Sequence, residues 1–187
     1  CRATFRDAQL QQAHYRPLDV TKRSAAVIEG SALDCLIYDG RKAWDEQYIV
    51  APPGYSKAAT KKFADWNLTV GVREILTEKQ YARVGGMYDA LMFEPDAQWM
   101  LQRRPQLRQL AVTWTCEGVP MKALIDSYLP DDGELFDLKS AVAENDWAWR
   151  SAIRKYAYDL QAAIYLSALR SNGRDVAKFS WLVVRKG

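Results

Sequence analysis

Apolar residues recur at mixed three- and four-residue spacing over residues 5–15 and 24–38, a period that predicts helices. Ala26, Val27, Leu33, Leu36 and Ile37 mark the stripe of the second, which also carries Glu29 and Asp34. The run Gln47-Tyr48-Ile49-Val50 stops at Pro52-Pro53-Gly54, which predicts a short strand closed by strong breakers; Lys57, Lys61 and Lys62 follow. Helical spacing returns over residues 56–66 and 77–101. Thr77 is placed to cap the second of these, three residues before Gln80, and Gly85-Gly86 weakens it locally. Arg103, Arg104 and Arg108 around Pro105 then make a basic surface segment.

From residue 109 the period changes. Leu110, Val112 and Trp114 alternate with polar or small residues, Glu117-Gly118-Val119-Pro120 reads as a turn, and alternation continues from Met121 to Leu129 and from Glu134 to Lys139 around Pro130-Asp131-Asp132-Gly133. This predicts a three-stranded antiparallel meander. Residues 144–171 carry the longest helical pattern, with Trp147, Ile153, Tyr156, Leu160, Ile164 and Leu169 facing inward and Asn172-Gly173 as the stop. Phe179 to Val184 is a final strand. The order predicts an α/β sandwich in which helices cover a mixed sheet.

The meander carries the chemistry. With the turn centred on Asp131-Asp132, Leu129 faces Glu134, Ser127 faces Phe136 and Asp126 faces Asp137. Opposed side chains on antiparallel strands have Cβ atoms about 4.5–5.5 Å apart, where like charges are destabilising unless compensated. A divalent cation is the natural compensation, and hard oxygen donors suit Mg²⁺, with Mn²⁺ as a substitute. Alternation puts Lys139 on the face of Asp137. A metal so placed would activate water and neutralise charge on a phosphate, with Lys139 supporting the transition state, which is phosphodiester hydrolysis. An isolated Asp-x-Lys is ordinarily a solvated pair, and a one-residue slip in register would remove the argument.

On the 144–171 pattern, Gln161 and Tyr165 share a face, with Tyr158 beside them; an aromatic stripe packed in the core would show the same spacing. Arg150, Arg154 and Lys155 either form a solvated face or present cations to successive phosphates.

Composition narrows the class of protein. In 187 residues, 49% are hydrophobic and 26% charged, so the chain is expected to fold as one globular domain. Lys plus Arg number 26 against 23 Asp plus Glu; the net charge of +3 is too small to announce nucleic acid, so a binding face must come from local clustering. Cys1, Cys35 and Cys116 are scattered, excluding a zinc or iron–sulfur cage and fitting a reducing, cytoplasmic setting, and with His14 the sole histidine, multi-histidine sites are excluded. No apolar run approaches a membrane span, so no membrane partner is expected. A chain opening on Cys1 and ending at Gly187 directly after an apolar run reads as an excerpt of a longer protein.

Gly30-Ser31-Ala32-Leu33-Asp34, Lys122-Ala-Leu-Ile-Asp126, Asp137-Leu-Lys139 and Gln161-x-x-x-Tyr165 together resemble the PD-(D/E)XK nuclease superfamily, and more closely its phage and prophage branch of the exonuclease VIII and lambda-exonuclease type. The likeness spans most of the chain, including Ala13-His14-Tyr15-Arg16. It implies a restriction-endonuclease-like core over residues 1–187, with the literal Pro130-Asp131 as a decoy in the turn. By this resemblance Asp126, Asp137 and the carbonyl of Leu138 hold the metal, Asp34 stands at a further ligand position often filled by histidine or glutamate, Lys139 assists the attacking water, and Gln161 and Tyr165 place the DNA. Leu124 stands where related chains carry arginine, which leaves phosphate contacts to Lys122 or to the other basic clusters, Arg150, Arg154 and Lys155 among them.

The resemblance implies a Mg²⁺-dependent exonuclease acting on linear double-stranded DNA in a bacterial host cell, 5′ to 3′, leaving a single strand for an annealing protein in recombination. A homo-oligomeric ring around the DNA is the expected assembly. A non-catalytic DNA-binding or scaffold protein with the same fold is the alternative. A glycosidase-like acid/base pair ranks last, because Lys139 would keep both carboxylates ionised whereas a general acid must hold its proton.

Overall fold

The computed structural model describes residues 23–53, 61–142 and 145–186. The helix expected over 5–15, the 13–16 stretch with His14, and Lys57 lie outside the described residues. The described residues divide into two compact units, one formed by residues 23–101 with Lys186, the other by Gln102–Arg185.

The first unit contains α1 (Ala25–Tyr38), α2 (Gly40–Gln47), β1 (Tyr48–Val50), α3 (Lys61–Val70), β2 (Glu74–Leu76), α4 (Glu78–Phe93) and α5 (Pro95–Gln102), the last ending at the boundary. Ser24 caps α1 by accepting from the Val27 amide at 3.3 Å, and Thr77 with Gln80 forms the expected capping box on α4. The single helix expected over 77–101 is two helices. Glu94 precedes a proline and adopts the extended conformation that proline imposes on its predecessor, and Pro95 then opens α5 where its missing N–H costs nothing. The helix expected over 56–66 is found as Lys61–Val70. β1 pairs in parallel with β2, a strand of three residues, too short to show alternation. Leu33, Leu76, Val84 and Met87 are buried. So is Glu29, which a lone carboxylate could not afford: Arg83 holds it at 2.7 Å and Lys186 at 3.1 Å.

The second unit contains β3 (Leu107–Cys116), β4 (Val119–Leu129), β5 (Glu134–Ala141), α6 (Asp146–Tyr156), α7 (Tyr158–Ser171) and β6 (Lys178–Arg185). The sheet runs β3-β4-β5-β6; the first three strands are the expected antiparallel meander and β6 lies parallel to β5. A parallel neighbour requires a crossover, which α6 and α7 supply. Ile125, Tyr128, Leu135, Ala168 and Leu169 form the centre of its core.

The continuous helix expected over 144–171 is broken at Ala157, whose φ of 53° and ψ of 42° are left-handed. The break re-aims the chain. α7 delivers Ala168 and Leu169 to the core, with Ile164 packed against them, whereas α6 has no fully buried residue. Trp147, Tyr156 and Leu160, expected to face inward, are exposed.

Candidate active site

The β4–β5 register is Ser127 with Phe136, Tyr128 with Leu135, and Leu129 with Glu134, as the turn arithmetic requires. The ladder ends there. One step further stand Asp126 and Asp137, and beyond them the strands no longer pair with each other: β4 continues with β3 as far as Cys116–Val119, and β5 with β6 as far as Ala141–Arg185. The sheet therefore forks at the two aspartates expected to share an ion. A second irregularity coincides with it. Gln109 on β3 has a φ of 48°, and the β3–β4 pairing passes over Gln109 and Asp126, between Arg108–Ser127 and Leu110–Ile125. Residues three apart in a regular strand face opposite ways, yet Leu107 and Leu110 both pack against one core cluster, as do Ile125 and Tyr128 within it. Asp126 is thus the residue at which β4 leaves regular pairing on both sides.

Asp137 is fully buried, flanked on β6 by Trp181. Lys139, two residues on and so on the same face, brings its Nζ to 2.6 Å from Asp137 Oδ2. The ammonium is close enough to compensate charge but lies off the line of a hydrogen bond, so neither carboxylate oxygen accepts one among the described residues. The same ammonium lies 4.8 Å from the centroid of the Tyr158 ring. Burial raises the Tyr158 hydroxyl above its ordinary value, with the Lys139 charge pulling the other way.

Tyr158 opens α7, and one turn later Gln161 donates from Nε2 to the Tyr165 hydroxyl at 2.9 Å, the pairing implied by four-residue spacing. Tyr165 packs on Phe179 at 6.4 Å, and Phe179 meets Trp181 at 5.4 Å. Asp137, Lys139, Gln161 and Tyr165 are thereby tied to one side of β5 and β6. Tyr158 is the member whose contact with Lys139 the sequence did not disclose; its position one turn before Gln161 was the available signal.

Arg150, Arg154 and Lys155 are exposed on α6, and Lys122 is exposed on β4. Leu138 follows Asp137 on β5. Asp34 lies half-buried on α1, in the first unit.

A divalent cation suits these donors. Beyond the Lys139 ammonium, the buried Asp137 carboxylate meets no hydrogen-bond donor among the described residues, so its lone pairs are left for a metal ion, and a second carboxylate stands across the fork. No group of three or more His, Cys, Asp or Glu side chains among the described residues could form a cage. Mg²⁺ needs none, since it commonly takes one or two carboxylates and completes its shell with water and phosphate.

The profile of a family described as "PDDEXK-like domain of unknown function" matches residues 3–187. The chain belongs to this PDDEXK-like family. Its fold is that of the PD-(D/E)XK nuclease superfamily, a restriction-endonuclease-like core of mixed sheet and helices. The crystal structure of a protein from Eubacterium rectale named "putative exonuclease" is similar, with a TM-score of 0.59 and 17% identity over 96% of this chain. This PDDEXK-like chain spans 60% of the length of that protein. No curated protein matches it. No helix among its described residues is long and apolar enough to cross a membrane.

Proposed function

We propose that this PDDEXK-like chain is a metal-dependent exodeoxyribonuclease that hydrolyses phosphodiester bonds of linear double-stranded DNA, 5′ to 3′, and leaves single strands for an annealing partner in recombination. Membership of the family supports a nuclease. The observation that carries the reading is the buried Asp137 beside Lys139 at the point where β4 and β5 part.

Asp126, Asp137 and the Leu138 carbonyl would hold Mg²⁺ or Mn²⁺, with Asp34 a further candidate ligand. When bound, the cation makes water a nucleophile at neutral pH and neutralises charge on the phosphate. Lys139 has three N–H donors; beside Asp137 it can turn the others towards the attacking water or a phosphate oxygen and stabilise charge developing there. Gln161, held by Tyr165, keeps a second amide N–H for a phosphate oxygen. Lys122, Arg150, Arg154 and Lys155 supply backbone contacts of the kind that position DNA without reading sequence. A homo-oligomeric ring, phage origin and cytoplasmic action in a bacterial host follow from the exonuclease resemblance and are part of the same proposal.

Incubation of end-labelled linear duplex with protein and Mg²⁺ or Mn²⁺ tests it. Mononucleotide release that Asp126→Asn or Lys139→Ala abolishes is expected; no release, or release unaffected by both substitutions, overturns it. The departures from the superfamily pattern at Asp34 and Leu124 favour the scaffold reading, which predicts salt-sensitive DNA binding without cleavage.

A further inference from the structure

α6 is an unusual helix: none of its residues is fully buried, and apart from Asp146 in its first turn its exposed residues are aromatic or basic. Trp147 is 77% exposed and Tyr156 57%. Arg150, Arg154 and Lys155 are exposed too, and none of the three forms an ion pair among the described residues, although Lys155 lies 5.2 Å from the Tyr156 ring centroid. Trp147, Arg150 and Arg154 are spaced i, i+3, i+7 and so share one stripe. That stripe sets one bare indole among two cations, whereas Tyr156, nine residues after Trp147, lies on the opposite side of the helix.

The opposite side of α6 leads to the candidate site. Tyr156 meets Tyr158 at 5.6 Å between ring centroids, Trp149 meets Tyr158 at 5.7 Å and Trp181 at 6.2 Å, and Tyr158 covers Lys139. The same helix thus turns its inner side to the buried carboxylate and its Trp147 stripe to solvent.

We infer that the outer stripe of α6 is a binding platform for single-stranded nucleic acid, with Trp147 stacking on an unpaired base while Arg150 and Arg154, with Lys155 beside them, neutralise neighbouring phosphates. Single strands fit because their unpaired bases offer π-faces to a protein ring, whereas the bases of an intact duplex are already stacked on one another. Cation spacing alone would suit a duplex equally; the exposed indole decides between the two. The inference deepens the nuclease reading by assigning a place for the separated strand, and it rests on that reading only for its link to cleavage.

The test measures binding without catalysis. Full-length protein in EDTA is titrated against a fluorescently labelled single-stranded oligonucleotide and against a duplex of the same length, with anisotropy as the readout. Trp147→Ala should weaken single-strand binding between about 5- and 100-fold, and Tyr156→Ala, on the other side of the helix, should leave it unchanged. Trp147→Phe, which keeps a ring, should restore most of it. Arg150→Ala, Arg154→Ala and Lys155→Ala should each lower the steepness of the salt dependence by about 0.7. Equal affinity for duplex and single strand, or single-strand affinity unchanged in Trp147→Ala, overturns the platform even if the wild type cleaves DNA. Self-association lost in Trp147→Ala without loss of single-strand binding assigns the face to a second copy of the chain and likewise overturns it. Ring-dependent single-strand binding by a protein that never cleaves would sustain the platform and sink the nuclease reading.

Discussion

The Lys139 ammonium is held between two partners, the Asp137 carboxylate at 2.6 Å and the face of the Tyr158 ring at 4.8 Å from its centroid. The carboxylate supplies charge and the ring supplies direction, because a cation over an aromatic face is attracted without surrendering its hydrogen-bond donors. Tyr158 is fixed in turn by Trp149 and Tyr156.

This arrangement makes Tyr158 a positioning residue for Lys139. Tyr158→Phe keeps the ring and should cleave DNA within about 3-fold of wild type, while Tyr158→Leu should lower kcat by about 10-fold with little change in KM. Lys139→Ala should cost at least about 100-fold. Steady-state nuclease kinetics on the three variants separate positioning from folding, since a merely structural role would make Phe and Leu differ in stability and not in kcat.

The buried Asp137–Lys139 pair sets a second expectation. Asp137→Asn should destabilise metal-free protein by about 3 kcal/mol, because it leaves the Lys139 ammonium without its carboxylate. Wild type should gain about 2.7 kcal/mol at a Mn²⁺ concentration 100 times its dissociation constant, and Asp137→Asn should gain nothing. Thermal melts with EDTA and with Mn²⁺ check both statements.

Two left-handed positions predict substitutions of opposite sign. Ala157 bears a Cβ where the backbone favours none, so Ala157→Gly should stabilise by about 1 kcal/mol. Gly133 has a φ of 57°, and a Cβ there would meet the Asp175 carbonyl oxygen at 3.0 Å, so Gly133→Ala should destabilise by about 2 kcal/mol. Urea denaturation of the two variants reads the difference directly.

Glu134 predicts a pH dependence. Burial alone would raise its carboxyl, but hydrogen bonds from Lys178 and from Ser180 at 2.7 Å, with the charges of Lys178 and Arg103, outweigh it and hold the group below its ordinary value. A carboxyl depressed in the folded state contributes stability above its unfolded pKa and loses it as pH falls through the folded one. Glu134→Gln should therefore be less stable than wild type by about 1–2 kcal/mol at pH 7, and the gap should close under acid conditions below the usual carboxylate range. Denaturation series at pH 7 and pH 3 measure the gap.

The meander was legible because its turn residues, Pro130 to Gly133, fix which positions oppose one another, and a period of two makes every later pairing follow. Gln161 and Tyr165 were legible for the analogous helical reason. The break at Ala157 was not, since alanine is the strongest helix former and nothing local announces a left-handed alanine. The fork was hidden too: turn arithmetic predicts where a ladder begins but not where it ends. Glu29 gave no sign of its partners, which stand 54 and 157 residues away.

Strand direction has a last consequence. Because β6 runs alongside β5 rather than back against it, the polypeptide leaving Ala141 must travel the length of the sheet before it can rejoin at Lys178. The roof over Asp137 is therefore a requirement of connectivity and not an added decoration. Had the last strand been reversed, a two-residue hairpin would have sufficed, and the chain would need no helix across that face.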